Sequence, residues 1–198
     1  MKFKLSLIVV CLFQFFTLAP LFAEISITYP LERTVFQRDN NNSAKIVISG
    51  NFTDNIDRVE VQLRALQNSG PSSDWITIQQ NPSGGYYQGT IEWWGGWYEL
   101  EVRGSFQGNH LSSAYLPRVG IGEVFIIAGQ SNAQGLFGHG AIDPDDDRVN
   151  CVNDFNASMN YRELSNPRFS KLETNSTIGP RGQSAWYWGQ LGKMLCQR

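Results

Sequence analysis

A β-sandwich followed by an α/β segment is what the sequence predicts, on three observations. Short runs of alternating apolar and polar residues, separated by turn signals, fill residues 24–118. The texture changes at Val124-Phe125-Ile126-Ile127-Ala128, too short for a helix and rich in branched and aromatic side chains, which is the pattern of a parallel-sheet strand buried on both faces. Residues 185–196 then place Ala185, Trp188, Leu191 and Leu195 on one helical face, behind a glycine-containing loop whose helix start would point N–H groups outward.

Residues 1–23 read as an export signal. Lys2 and Lys4 precede an almost wholly apolar stretch over 5–18, and small residues follow before Glu24. The run is shorter than a comfortable membrane span and no second apolar segment comes after it. Cleavage is therefore expected over an uncleaved anchor, with no membrane association afterwards, leaving a secreted or periplasmic chain of about 175 residues. Cys11 has no small-residue lipobox before it, which argues against a lipoprotein. The formal charge is −2 with no Lys/Arg cluster, so nucleic acid and acidic membrane surfaces are poor candidate partners. Beyond the signal stand Cys151 and Cys196, which either pair, as an exported environment permits, or remain two buried thiols. Nothing in the sequence sets the oligomeric state.

Within 24–118, alternation marks strands at Ile25 and Ile27, at Ile46 and Ile48, at Val59, Val61 and Leu63, at Trp75, Ile76 and Ile78, and at Tyr98, Leu100 and Val102. Turn signals at Tyr29-Pro30, 39–43, 68–71, 81–85 and Gly95-Gly96 separate them, a spacing that predicts an immunoglobulin-like sandwich without an antibody domain's cysteines. Trp93, Trp94 and Trp97 straddle the last turn. Such residues either cover a core, which their large apolar area favours, or present flat faces to sugar rings. His110 lies in a polar segment and reads as a loop histidine, while residues 116–122 read as a last strand entering a connection.

After the apolar run comes Gly129-Gln130-Ser131-Asn132, a small turn in the place where an open α/β sheet gathers its ligands. Gly129-x-Ser131-x-Ala133 lacks the second glycine of the α/β-hydrolase elbow. Asp143, Asp145 and Asp147 alternate like the start of a calcium loop. Arg148 stands where that loop needs glycine and Pro144 intrudes, so a solvated turn is the reading, and no metal or organic cofactor is called for.

Residues 125–135, Phe-Ile-Ile-Ala-Gly-Gln-Ser-Asn-Ala-Gln-Gly, resemble the first signature block of SGNH (GDSL-like) hydrolases, in the form seen in sialate O-acetylesterase-like and related plant-polysaccharide acetylesterases. Residues 178–185, Ile-Gly-Pro-Arg-Gly-Gln-Ser-Ala, are similar to that family's second block. The resemblance implies a flavodoxin-like three-layer domain over 119–198, an acetylated glycan as substrate and no cofactor. It also implies Ser131 as the nucleophile, and the backbone N–H of Ser131 and of Gly179 or Gly182 as oxyanion donors. Gln130, Asn132 and His139 are candidate substrate contacts. The family's base comes from an Asp-x-x-His, and neither His110 nor His139 has Asp three residues before it. The 119–198 domain is therefore expected to be incomplete and the chain by itself inactive or nearly so. The alternative is a non-catalytic glycan-binding or cell-surface protein working through Trp93, Trp94 and Trp97.

Overall fold

The computed structural model describes residues 24–137, 140–153 and 168–197. Eight strands come first: β1 (Ile25–Tyr29), β2 (Val35–Gln37), β3 (Ser43–Phe52), β4 (Arg58–Ala65), β5 (Ile76–Gln80), β6 (Tyr86–Trp94), β7 (Gly96–Phe106) and β8 (Asn109–Gly122). One sheet has the order β1-β3-β6 and a second the order β2-β8-β7-β4-β5. All pairings in them are antiparallel except that of β2 with β8, so the larger sheet is mixed.

Period-two alternation decides which side chains meet. Ile46 and Ile48 of β3 and Tyr87 and Ile91 of β6 face Val59, Val61 and Leu63 of β4 and Leu100 and Val102 of β7 in one core. The two buried tyrosines keep their hydroxyls satisfied. Tyr87 Oη donates to the Ser26 carbonyl at 2.9 Å and Tyr98 Oη to the Trp94 carbonyl at 2.9 Å. Burial raises the pKa of both, that of Tyr98 to about 12.

Gly50 makes this closure possible. A Cβ there would overlap the Ser26 carbonyl oxygen and the Tyr87 ring, because β1 and the Tyr87 side chain lie directly against the β3 backbone. Gly50→Ala is expected to cost at least about 3 kcal/mol, near the top of the overpacking range, since backbone rather than a flexible side chain must move. Urea unfolding followed by tryptophan fluorescence measures it, and an unchanged midpoint would refute the close packing.

The expected three-layer α/β domain over 119–198 is not what forms. The described residues are 47% strand and only 8% helix, too little helix to cover both faces of a parallel sheet. Beyond β8 the chain forms a four-residue helix α1 (Ser131–Gln134), an antiparallel ribbon of β9 (Asn150–Val152) and β10 (Phe169–Lys171), and the helix α2 (Trp188–Cys196). Residues 124–128, expected as a doubly buried strand, have no ladder partner among the described residues, and Ile126 is 95% exposed. A parallel strand is hydrogen-bonded on its edges and covered on its faces by neighbours, and no described strand lies alongside this one. It is tethered at its start, where the Val124 N–H donates to Gln37 Oε1 at 2.7 Å and Glu123 pairs with Arg38 at 2.8 Å.

A second, smaller core of Cys151, Leu172 and Ala185, backed by Val149 and Ile178, joins the ribbon to the loop before α2. That helix starts later than its apolar periodicity, because Trp186 takes a left-handed φ of 43°. Cys151 and Cys196 are free thiols, the former buried. Burial pushes both thiol pKa values up, so access sets the order: a thiol reagent is expected to label the half-buried Cys196 first and the buried Cys151 only on unfolding, as the time course of a colorimetric thiol assay would show.

Asp147 clasps this region to the larger sheet. Its carboxylate accepts from Arg33 at 2.6 Å, from Arg118 Nε at 2.6 Å and from the Trp97 indole N–H at 3.2 Å. Arg33 also donates to the Asp147 carbonyl at 3.2 Å and to Asn150 Oδ1 at 2.7 Å, and lies over the Trp97 ring, 5.9 Å from its centroid. Burial works to raise the Asp147 pKa, but the donors and the Arg33 charge outweigh it and hold the carboxyl at about 2. The acidic turn read as solvated thus commits Asp147 to an ion network, and Asp146 to Arg148 at 2.7 Å.

Candidate active site

Ser131 begins α1, at the end of the exposed apolar stretch, and its side chain is exposed, as are those of Gln130 and Asn132. Gln130 is the N-cap residue, and its carbonyl accepts from the Ala133 amide at 2.9 Å and the Gln134 amide at 3.2 Å. The Ser131 and Asn132 amides come before the first of these bonds, so they head the turn with no backbone acceptor among the described residues.

This turn docks on the loop that leads into α2. The Gln183 amide donates to the Gln134 carbonyl at 2.8 Å, Ser184 Oγ to the Leu136 carbonyl at 3.1 Å, and Tyr187 Oη to the Asn132 carbonyl at 3.1 Å. Gly135 ends α1 at φ 76°, a conformation glycine tolerates, and a Cβ there would sit 3.1 Å from Trp186 Cβ. The two stretches singled out in the sequence, about fifty residues apart, are therefore in direct contact.

The candidate oxyanion glycines have other partners. The Gly179 amide donates to the Val152 carbonyl at 2.6 Å and the Gly182 amide to the Ile178 carbonyl at 2.6 Å. In this arrangement the amides left to face an anion at the turn are those of Ser131 and Asn132. His139 lies outside the described residues, as do residues 1–23. His110 is exposed in the β7–β8 hairpin, paired in register with Ser105.

The tryptophans divide. Trp97 is 2% exposed and belongs to packing through its bond to Asp147. Trp93 packs against the main core and its indole N–H donates to the Pro71 carbonyl at 2.9 Å. Trp94 is 51% exposed. An open depression of about 490 Å³ lined by Asp143, Glu173, Thr174, Asn175 and Ser176 contains none of the residues proposed from sequence. Among the described residues no group of His, Cys, Asp and Glu is placed to hold a metal ion. The Asp147 network was missed by sequence reasoning, since no local pattern ties an acidic turn to Arg33 in the β1–β2 turn and Arg118 on β8.

Compared with known proteins, the sequence matches no protein-family model and no curated protein.

Proposed function

We propose that Ser131 is the nucleophile of an ester-hydrolysing site acting on O-acetyl groups of an acetylated glycan, sialic acid among the candidates, in an exported protein. One observation carries the reading: residues 125–135 and 178–185, the two blocks that resemble SGNH-type acetylesterases, are joined by the Gln183 amide donating to the Gln134 carbonyl, with Tyr187 just beyond reaching Asn132, beside an exposed Ser131. The two facing sheets are read as a β-sandwich module attached to that site.

In the reaction the Ser131 hydroxyl oxygen attacks the acetyl carbonyl carbon while a base takes the hydroxyl proton. The Ser131 and Asn132 amides, heading the turn, are the donors available to the developing oxyanion. Collapse of the tetrahedral intermediate releases the sugar hydroxyl, which takes up the proton, and leaves acetyl-Ser131. Water then attacks that ester, giving acetate and free Ser131. His110 is held in the β7–β8 hairpin, paired in register with Ser105, and is not assigned as that base. The test is acetate released from an acetylated glycan, compared between the protein and Ser131→Ala.

A further inference from the structure

Resting on the reading that the protein handles a glycan, we propose that the outer face of the three-stranded sheet is a platform for an uncharged polysaccharide chain lying along β6. Alternation turns Tyr86, Gln88, Thr90, Glu92 and Trp94 outward from this strand, and all five are exposed. Tyr86 and Trp94 are 46% and 51% exposed at the two ends of the strand. Aromatic side chains have large apolar areas to bury, so two left open on one face are planes available for stacking on the C–H faces of sugar rings.

The ground between the rings is uncharged over most of its length, with Glu92 the one carboxyl among the five β6 residues. The register sets Tyr86 beside Asn51, Gln88 beside Ser49 and Thr90 beside Val47. Tyr86 Oη donates to Gln88 Oε1 at 2.7 Å, which leaves the Gln88 amide N–H groups to donate outward. Lys45 and Glu92 are register partners here, and at the Trp94 end Ser43 Oγ lies within hydrogen-bond distance of the carboxylates of both Glu92 and Asp39. Such a face offers no cluster of cations to an anionic polymer, while its amides and hydroxyls both donate and accept, as a chain of neutral sugars requires.

Strand geometry adds a length condition. At about 3.3 Å per residue, the eight-residue interval between Tyr86 and Trp94 spans roughly 26 Å. A disaccharide cannot reach both rings. A chain of several sugars can, so affinity should rise steeply with chain length.

The test is affinity electrophoresis of the Ser131→Ala protein, which leaves the polymer intact, through gels containing xylan, glucomannan, arabinogalactan or the anionic polymer alginate. Retardation is expected in at least one neutral gel and not in alginate, with competition by the matching hexasaccharide at concentrations where the disaccharide has no effect. Tyr86→Ala and Trp94→Ala should each weaken binding about five- to tenfold, with unchanged thermal unfolding. Absence of retardation in all three neutral gels, or retardation that survives both substitutions, overturns the platform. So does dimerisation through β6, seen by sedimentation and relieved by the same substitutions without any dependence on polysaccharide. Ser131-dependent acetate release without retardation removes the platform alone. Retardation without Ser131-dependent release removes the hydrolytic reading alone.

Discussion

Ser131→Ala is expected to remove catalysed release of acetate, lowering the rate at least about a hundredfold in any form of the protein that turns over, because nucleophile and base act as one unit. Stability should stay within about 0.5 kcal/mol, the range for exposed substitutions away from special features. Ser131 is exposed at the first position of a one-turn helix whose cap makes no side-chain hydrogen bond. Among the described residues no histidine stands beside it. Imidazole supplied as a diffusible base should then restore a component of acetate release that Ser131→Ala lacks. Sugar acetates are suitable here, being far less prone than activated esters to react with imidazole itself. Equal rates for the two proteins, with and without imidazole, would sink the nucleophile assignment.

Asp147→Ala is expected to lower unfolding stability by about 2–4 kcal/mol, because it strips a carboxylate from two guanidinium groups and leaves the buried Trp97 indole N–H without its acceptor. The side chains of Arg33 and Asp147 are only 15% and 22% exposed, so water replaces the lost partners poorly. The Arg118 side chain, 37% exposed, contributes less. Asp147→Asn keeps the shape and one acceptor oxygen but loses the charge, and should fall between alanine and the native protein.

The pH dependence comes from the same geometry. Folding lowers the Asp147 pKa from 3.8 to about 2, so its contribution is present above the unfolded value and disappears as pH falls through the folded one. The stability gap between the native protein and Asp147→Asn should therefore be constant above about pH 5 and narrow steadily between about pH 4 and pH 2. Urea midpoints measured across that interval check it. A gap that persists at pH 2 would mean that the network contributes through packing rather than charge.

Most of the strands were legible because their signal is local. Ile46 and Ile48, Val59 to Leu63 and Tyr98 to Val102 alternate within single segments, and a side-chain period of two needs no distant information to be read. Trp188, Leu191 and Leu195 marked α2 in the same way, with its start displaced by the left-handed Trp186. The Gly-Gln-Ser-Asn stretch was legible as a small turn that projects a serine hydroxyl, since that geometry lies in four adjacent residues.

The apolar run at residues 124–128 shows where that kind of reading ends. Composition marks it as suited to burial, but burial is supplied by neighbours, and Phe125 and Ile126 stand 59% and 95% exposed for want of a strand alongside. Likewise, composition could not say that the Gly179 and Gly182 amides would be taken by the Val152 and Ile178 carbonyls. Nor could it divide the tryptophans into a buried Trp97, a packed Trp93 and an open Trp94.

Residue order was thus enough to mark which segments extend, which face of each is apolar, and where a small turn exposes a serine hydroxyl. What those features touch was settled only in three dimensions. Asp147 meets Arg33 across 114 residues of chain and Tyr187 reaches Asn132 across 55. Such contacts depend on how sheets and loops close in space, whereas alternation and turn chemistry depend only on residues next to one another.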